Sequence, residues 1–443
     1  MSSQSARRTH IKSVVIVSSG NFLEMYDFMV FGYYASWIAK AFFPSSSEFA
    51  SLMLSLGTFG AGFLMRPIGG MVLGAYMDRH GRRAGLLLTF ALMGIGTLSI
   101  AGMPPFASIG LIAPLLVVVG RLLQGFSAGV QVGGASVYLS EISTPGHRGF
   151  YVSWQSASQQ MAVVFAALLG LMVNRLVTFD QLARWGWRIP FFVGCALIPF
   201  LFAIRNSFQE TPAFLARTQA HRPALSAVYA SMLANWRVVA LGTMLATMTT
   251  VSFYLITAYT PTYGTSELHL TVFNSMIVTL CVGISNFILL PIMGSLSDRV
   301  GRRPLLVGCS VLAILTGYPT LSWLVSDPSF ARLLVVELWL SLVYAGYNGA
   351  MVVFLTEIMP VDVRTSGFSI AYSLATAIFG GFTPAICTYL IHVTGNKAIP
   401  GVWLSAAALC GLVATAALSP RRLALTGKGT GSIVESAGAI STD

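Results

Sequence analysis

Twelve long apolar runs, separated by short charged or Pro/Gly-rich breaks, determine what this chain can fold into. A helix that crosses a membrane needs about 20 predominantly apolar residues, and the runs are of that order. They lie at approximately 13–38, 50–76, 84–103, 109–138, 150–175, 188–205, 238–260, 271–296, 304–325, 332–356, 366–391 and 400–419. The pattern predicts an all-α membrane protein with twelve transmembrane helices.

The composition excludes several other classes of protein. Apolar residues make up 55% of the chain and charged residues only 9%, whereas soluble domains carry about 25% charged residues. A cytosolic enzyme, a disordered chain and a secreted disulfide-rich domain are therefore excluded. Strands of a membrane β-barrel would alternate polar and apolar residues instead of forming such runs. The five cysteines stand singly, so neither a zinc site nor a disulfide framework is indicated.

The positive charges are distributed unevenly between the two sides of the predicted bundle. With the N-terminus inside, 18 of the 26 basic residues fall on cytoplasmic segments and six on outer ones. By the positive-inside rule, both termini are expected in the cytoplasm of a bacterial inner-membrane protein. This bias explains the net charge of +11 without a nucleic-acid partner. We expect an N-terminal bundle at 1–206, a cytoplasmic connector at 207–237, a C-terminal bundle at 238–420 and a cytoplasmic tail at 421–443.

The two halves contain a repeated motif. The string GAYMDRHGRR at 74–83 closes the second run, and GSLSDRVGRR at 294–303 closes the eighth, 220 residues later. Parallel repeats of six spans are typical of transporters whose substrate site lies between the halves. The glycines allow close helix approach, the aspartates can accept bonds from helix ends, and the arginines are expected at the cytoplasmic headgroups. As conformational gate residues we predict Gly74, Asp78, Arg79, Arg82, Arg83, Gly294, Asp298, Arg299, Arg302 and Arg303.

Several stretches resemble the major facilitator superfamily and, within it, the metabolite–proton symporters. These are GNFLEMYDF at 20–28, FLMRPIG at 63–69, GRLLQGFS at 120–127, WRIPF at 187–191 and FGGFTP at 379–384. Others are similar to bacterial citrate–proton and tricarballylate symporters: WQSASQQ at 154–160, YTPTYG at 259–264 and YNGAMV at 347–352. The resemblance covers essentially the whole chain. It implies two pseudo-symmetric six-helix bundles and proton-coupled import of a tricarboxylate, either citrate or tricarballylate, by alternating access.

Among the charged residues of the predicted spans, five stand out as functional candidates, because charge is costly in the membrane and usually functional: Glu24, Asp27, Arg66, Arg121 and Glu337. Glu24 and Asp27 are three residues apart, so they share one helix face. Burial and a neighbouring carboxylate favour the neutral acid, whereas a nearby arginine favours the charged form. We therefore predict Glu24 and Asp27 as proton-coupling residues; the alternative for Asp27 is a permanent bridge to Arg121. Glu337 is a third candidate, although it could also be a gate residue or a helix-end acid near Arg332.

Arg66 and Arg121 are the cations that fall well inside the predicted bundle. Guanidinium groups bind carboxylates through two parallel hydrogen bonds and stay protonated, so they suit a polycarboxylate ligand. The alternative for Arg66 is a structural contact with the repeated loop motif. As further substrate ligands we predict the polar residues Gln155, Gln159, Tyr347, Asn348 and Tyr372, although such residues often only join helices, at about 0.6 kcal/mol each.

Two alternatives to tricarboxylate import are transport of another solute and a function other than transport. The same fold could carry a dicarboxylate, a sugar or a zwitterionic osmolyte; the tail at 421–443 lacks the heptads of an osmosensing coiled coil. A membrane enzyme is disfavoured because the sequence has no metal-spaced histidines and no Ser/His/Asp set. A sensor is disfavoured because we expect no appended soluble domain. No ATP-binding G-x-x-x-x-G-K-[ST] loop is present, so we do not expect ATP to drive the protein. We expect no cofactor and no metal. The predicted partners are an organic-acid anion, protons and the lipid bilayer, with a monomer as the functional unit.

Overall fold

The structure is a computed structural model that describes residues 21–80, 82–129, 131–206, 235–359 and 364–418. Within these ranges the regular structure is helical, without strands. The predicted connector at 207–237 lies outside the described residues except for its last three, and the predicted tail lies wholly outside them. The bounds of the connector and of the tail therefore stay predictions.

Six helical segments form the N-terminal half. They are α1 (21–33 continuing as Ala35–Phe42), α2 (Glu48–Leu64 and Arg66–His80), α3 (Arg82–Gly102), α4 (Ile112–Ala128 and Gln131–Glu141), α5 (Arg148–Leu176) and α6 (Ile189–Asn206). Short helices at Phe106–Ile109, Phe179–Arg184 and Gly186–Arg188 lie in the loops between them.

Six further segments form the C-terminal half. They are α7 (Trp236–Tyr254, Leu255–Tyr259, Thr260–Thr262 and Tyr263–Glu267), α8 (Val272–Val300), α9 (Arg302–Ser326), α10 (Phe330–Ile358), α11 (Arg364–Ala375, Thr376–Gly380 and Thr383–Thr394) and α12 (Pro400–Ala417). The middle parts of α7 and α11 contain π-helical turns.

The segments have the lengths and surfaces of membrane helices. Among the described residues nine are long and apolar enough to cross a bilayer, and α1, α3 and α6 complete the set of twelve with shorter apolar stretches. Large apolar side chains such as Leu115, Ile292 and Leu315 are exposed on the outside of the bundle. Polar side chains are instead found inside it. This pattern confirms the predicted twelve-helix membrane fold.

Where the structure describes them, the predicted spans agree with the observed helices within a few residues except at α7. Residues 13–20 of the first predicted span and residue 419 of the last lie outside the described residues. The sequence places the end of α7 at residue 260, just before Pro261, whereas the helix continues to Glu267. Proline removes a backbone donor and its ring crowds the preceding turn. Two π-helical turns, Leu255–Tyr259 and Tyr263–Glu267, flank the short Thr260–Thr262 segment and give the ring the space that it needs.

The two halves contact each other at both ends of the bundle. At the end that carries the arginine-rich turn between α8 and α9, the backbone amides of Gly149 and Phe150 donate to Asp298. At the opposite end, the rings of Phe49 on α2 and His392 on α11 stack with centroids 3.7 Å apart. Between the ends, α5 packs along α8 and α2 packs along α11. The two halves are therefore packed together at both ends and along the helices between them.

Candidate transport site

Four of the five predicted intramembrane charges gather in the N-terminal half. Glu24 and Asp27 lie on α1, Arg66 on α2 and Arg121 on α4, and none is more than 2% exposed. Glu337 lies on α10 in the other half and is 3% exposed. Buried charges are costly unless they are paired and hydrogen-bonded, so the contacts of each one indicate what it can do.

Arg66 forms a buried ion pair with Glu24. Its Nη2 donates to Glu24 Oε1 over 2.6 Å, and both side chains are at most 3% exposed. Neither Arg66 Nε nor Glu24 Oε2 has a hydrogen-bond partner. The alternative role for Arg66, a contact with the repeated loop motif, concerns side chains outside the described part of the chain and stays open. The unused donor and acceptor leave the pair able to bind a further polar group.

Arg121 does not form the predicted alternative bridge to Asp27, for no ion pair joins their side chains. Instead Arg121 Nη1 donates to Gln124 Oε1 over 2.8 Å, and Nη2 donates to the carbonyl oxygen of Phe59 over 3.3 Å. Arg121 Nε has no hydrogen-bond partner. A guanidinium that is held only by neutral acceptors is free to bind an anion without first displacing a carboxylate.

Asp27 is held by neutral donors. The hydroxyl of Thr97 on α3 donates to Asp27 Oδ2, and Gln124 Nε2 lies 3.5 Å from the same oxygen. Asp27 Oδ1 has no hydrogen-bond partner. The carboxyl is therefore only half satisfied as a carboxylate, which leaves an oxygen available to a proton.

Aromatic rings enclose both guanidinium groups. The Phe28 ring is shared: its centroid lies 4.9 Å from Arg66 Cζ and 4.4 Å from Arg121 Cζ. Phe63 adds a second ring to Arg66 at 4.7 Å, and Phe31 and Phe59 add rings to Arg121 at 4.5 and 5.2 Å. Such cation–π contacts stabilise a desolvated cation by about 2 kcal/mol. The rings exclude water while leaving the N–H groups free for an anion.

Glycines bring the helices of this site close together. A Cβ at Gly62 on α2 would lie 3.0 Å from the carbonyl oxygen of Arg121, and one at Gly125 would overlap the carbonyl oxygen of Gly62. A Cβ at Gly194 on α6 would lie 2.9 Å from Asp27 Oδ1. The small residues allow backbone contact between helices in the membrane, as packing without a hydrophobic driving force requires.

The predicted neutral ligands differ in their surroundings. The phenol groups of Tyr254 on α7 and Tyr372 on α11 lie close enough to Arg66 and Glu24 to interact electrostatically with them. Gln155 and Asn348 are buried, and each keeps an unpaired atom, Nε2 and Oδ1 respectively. Gln159 is 3% exposed. Unpaired amide groups inside a bundle are available to a ligand.

The structure does not place Tyr347 among the substrate ligands. Its hydroxyl donates to the carbonyl oxygen of Leu245 over 2.8 Å, and the side chain packs against Gly411 on α12. Both contacts lie within the C-terminal half. The role of Tyr347 as a substrate ligand stays a prediction, although its hydroxyl is directed toward Leu245. A residue's neighbours in the chain do not show which way its side chain points from the helix.

Glu337 is a buried acid and not a helix-end acid near Arg332. Thr260 Oγ1 on α7 donates to Glu337 Oε1 over 3.0 Å, whereas Oε2 has no hydrogen-bond partner. Arg332 pairs instead with Asp327, with 3.2 Å between Nη2 and Oδ2. The alternative interpretation of Glu337 is therefore wrong, and the residue remains a candidate for proton binding.

The comparisons with known proteins agree with this geometry. The family profile described as "Sugar (and other) transporter" matches residues 13–232, and the one described as "Major Facilitator Superfamily" matches residues 265–435. The chain is 59% identical to a citrate-proton symporter of Salmonella typhi, over 92% of this chain and 94% of that one. It is 56% identical to a citrate-proton symporter of Klebsiella pneumoniae, over 93% and 92%. The chain belongs to the major facilitator superfamily.

This superfamily membership confirms the predicted fold and class. A crystal structure of a D-xylose-proton symporter matches with a TM-score of 0.74 over 93% of this chain and 98% of the other, at 18% identity. At that identity the match supports the fold alone. The chain is a multi-pass membrane transporter, not an enzyme.

In this member of the superfamily, the second copy of the repeated motif joins the halves at the arginine-rich end. Asp298 accepts from the amides of Gly149 and Phe150 over 2.8 and 3.0 Å, at the N-terminus of α5. Arg302 pairs with Asp298 over 2.7 Å and with Glu357 over 3.2 Å. A carboxylate is favoured at a helix N-terminus by the orphan amides and the helix dipole. The contact is available only while the two halves lie together at this end.

The gate prediction needs one correction. Arg302 and Arg303 were expected among the lipid headgroups, but both bind protein atoms: Arg303 donates to the carbonyl oxygens of Thr415 and Leu418 at the end of α12. Arg299 is exposed as expected, and Gly294 lies in backbone contact with Gly149. The side chains of the first copy, namely those of Asp78, Arg79, Arg82 and Arg83, and the surroundings of Gly74 lie outside the part of the chain that the structure describes.

Several functional candidates were missed by the sequence reasoning. Gln124 and Thr97 hold Asp27, and Gln160 lies beside Tyr344 without making a hydrogen bond of normal geometry. Gln124 had one local signal, because it follows Arg121 by three residues and so shares its helix face. Thr97 had none, since it is 70 residues from Asp27 in the chain.

Proposed function

We propose that this transporter imports citrate together with protons across the bacterial inner membrane by alternating access. The observation that carries the proposal is a cluster of two buried guanidinium groups and two buried carboxyl groups. In it, Arg66 pairs with Glu24, and Arg121 is linked to Asp27 through Gln124 and Thr97. The two relatives that are 59% and 56% identical are both named citrate-proton symporters. The cations suit a polycarboxylate, and the acids suit proton transfer.

The two arginines would bind two carboxylates of the substrate. Each keeps an unpaired Nε beside its Nη donors, and a guanidinium can donate two parallel hydrogen bonds to one carboxylate. The unpaired amides of Gln155 and Asn348, with Gln159 and the phenol of Tyr372, are candidates for the third carboxylate or the hydroxyl of citrate. An anion with fewer carboxylates would leave one buried cation without its partner.

The proton would be bound by the acidic residues whose contact with an arginine is weakened when the substrate binds. A substrate carboxylate on Arg66 takes the place of Glu24 Oε1, and Glu24 then lies buried without a cation. Uptake of a proton removes this unpaired charge, whose cost would otherwise be several kcal/mol. A substrate carboxylate on Arg121 would neutralise the positive charge near Asp27 without displacing this acid, and would also favour its protonation. Glu337 stands as a third proton site in the C-terminal half.

Alternating access would come from rocking of the two bundles, 1–206 and 238–420, about this central site. The contact of Asp298 with the N-terminus of α5 would break when the arginine-rich end opens. The Phe49–His392 stack would break when the opposite end opens. The 18-to-6 bias of basic residues places the arginine-rich end and both termini in the cytoplasm. Because one chain contains both bundles and the central site, a monomer in the bilayer would suffice.

A substrate screen in proteoliposomes tests the proposal. Purified protein under an imposed proton gradient is offered citrate, tricarballylate, α-ketoglutarate, proline and xylose, each labelled, with protein-free liposomes as the control. We expect uptake of citrate at the lowest half-saturating concentration. Preferred uptake of tricarballylate would retain the tricarboxylate class while changing the substrate. Uptake of xylose or proline in preference to every carboxylate would refute the proposal.

A further inference from the structure

A hydrogen-bonded chain of fixed direction runs from Arg121 to Asp27. Arg121 Nη1 donates to Gln124 Oε1 over 2.8 Å, and Gln124 Nε2 donates to Thr97 Oγ1 over 3.0 Å. The Thr97 hydroxyl in turn donates to Asp27 Oδ2. All four side chains are buried, with exposures of 1% or less. The chain joins three helices, α4, α3 and α1.

The chemistry of the two ends fixes the direction of this chain. A guanidinium only donates hydrogen bonds, so the carbonyl oxygen of the Gln124 amide must face Arg121. The NH₂ group of the same amide must then face Thr97 and Asp27. Gln124 therefore presents a donor to Asp27 for as long as Arg121 holds its oxygen.

The Thr97 hydroxyl can serve both protonation states of Asp27. It has one proton and two acceptors within reach, Asp27 Oδ2 and the carbonyl oxygen of Met93 at 2.9 Å. With Asp27 charged, the hydroxyl donates to the carboxylate. With Asp27 protonated, the hydroxyl can turn to Met93, and its oxygen can accept from the acid. A valine of the same shape could do neither.

The other charged and titratable groups near Asp27 do not supply it with a cation. The hydrogen-bonded chain to Arg121 is therefore its main link to one. On α1, Glu24 pairs with Arg66, and the Tyr26 hydroxyl donates to the carbonyl oxygen of Pro190 over 2.6 Å. On α6, Cys195 is a neutral thiol that interacts electrostatically with Asp27. Within the described ranges, no cation forms an ion pair with Asp27.

Glycines keep α3 and α4 close enough together for the hydrogen-bonded chain to form. A Cβ at Gly96 on α3 would lie 2.7 Å from both Gln124 Cγ and the carbonyl oxygen of Gly120 on α4. The two helices are therefore close enough for one glutamine side chain to span from Arg121 to Thr97. A shorter amide at position 124 could not reach both.

We propose that Gln124 and Thr97 are positioning residues that transmit substrate binding at Arg121 to the proton on Asp27. When a substrate carboxylate takes the Arg121 donors, Gln124 Oε1 loses its partner and the amide is free to turn away. Asp27 then loses the Gln124 donor, and Thr97 loses the Gln124 amide that orients its hydroxyl, so the charged form of Asp27 is less favoured and proton binding is favoured. Linkage makes the effect reciprocal, so a proton on Asp27 strengthens substrate binding. The inference rests on the proposed function, with Asp27 as a proton-binding residue.

The test compares variants that remove the chain with variants that keep it. Thr97→Val and Gln124→Met remove the polar groups at nearly constant volume, and Thr97→Ser restores the hydroxyl. Ser99→Ala is the matched control, because this α3 hydroxyl bonds only to the carbonyl oxygen of Gly96 in its own helix. The half-saturating citrate concentration for exchange is measured at a series of pH values that are equal on both sides. Comparison with wild type at each pH cancels the titration of citrate itself.

We expect wild type, Thr97→Ser and Ser99→Ala to show a pH-dependent affinity change of about 5- to 150-fold, the usual range of such coupling. In Thr97→Val and Gln124→Met, the change falls below about 2-fold, while exchange at saturating citrate continues. Wild-type pH dependence in either folded variant would overturn the inference, as would equal loss in Thr97→Ser and Thr97→Val. If one variant fails to fold, the other decides.

Failure of the proposed function would look different. In that case wild type would not accumulate citrate under a proton gradient. Accumulation by Asp27→Asn like that of wild type would instead make Asp27 structural, and the inference would be refuted while the proposed function stands. If wild type accumulates citrate, Asp27→Asn does not, and Gln124→Met keeps the full pH dependence, then only the bridge between Arg121 and Asp27 is refuted.

Discussion

Arg121→Lys is expected to lower citrate affinity strongly although it keeps the positive charge. Lysine cannot form two parallel hydrogen bonds to a carboxylate, nor can it present a planar group to the rings of Phe28 and Phe31. Loss of a charge-assisted hydrogen bond costs about 1.5–3 kcal/mol, so the dissociation constant should rise roughly 10- to 150-fold. Arg66→Lys should behave in the same direction. The measurement is citrate binding to purified protein by calorimetry.

A matched control is available at the outer surface. Arg332→Lys changes an arginine whose side chain is 26% exposed and pairs with Asp327, and it should leave the citrate affinity unchanged. The affinity loss in Arg121→Lys should also be greater for a tricarboxylate than for any monocarboxylate that the protein accepts. Equal citrate binding by wild type, Arg66→Ala and Arg121→Ala would exclude both arginines as ligands.

Asp27→Asn is expected to separate exchange from accumulation. The amide imitates the protonated acid, so labelled citrate should still exchange for unlabelled citrate across the membrane. Accumulation driven by a pH gradient should be lost, because the residue can no longer release its proton inside. A gradient of one pH unit is worth about 1.4 kcal/mol, or roughly tenfold accumulation for each coupled proton. The variant should show no accumulation at the same gradient.

Glu48→Gln serves as the control for this substitution. Glu48 is an acid at the start of α2 whose side chain is 94% exposed, and its loss should leave both exchange and accumulation intact. If Asp27→Asn accumulates citrate with wild-type pH dependence, then Asp27 is structural. The same pair of assays on Glu24→Gln and Glu337→Gln would then identify the proton site.

The helices could be predicted from the sequence because each one coincides with a run of apolar residues. The continuation of α7 beyond residue 260 was not predicted, because a proline such as Pro261 usually ends a helix. The helix passes through the proline by widening two turns, and such widening depends on packing that local sequence does not record.

The charged members of the site could also be predicted, since charge inside an apolar run is conspicuous. Their partners could not. Whether Asp27 binds Arg121 directly or through Gln124 depends on distances between three helices. Neutral residues such as Thr97 are common in membrane helices, where most only bond to their own helix. The direction of Tyr347 was likewise unpredictable, because it is set by the rotation of α10 against α12.

The central claim, that this cluster couples citrate to protons, is tested most directly by citrate accumulation in ATP-free proteoliposomes. Labelled citrate is followed while a pH gradient, acid outside, is imposed and then collapsed with a protonophore, in sodium-free buffer. We predict accumulation above the external concentration while the gradient lasts, and loss of the accumulated citrate when it is collapsed. Sustained accumulation after both the proton and sodium gradients are gone would contradict the claim.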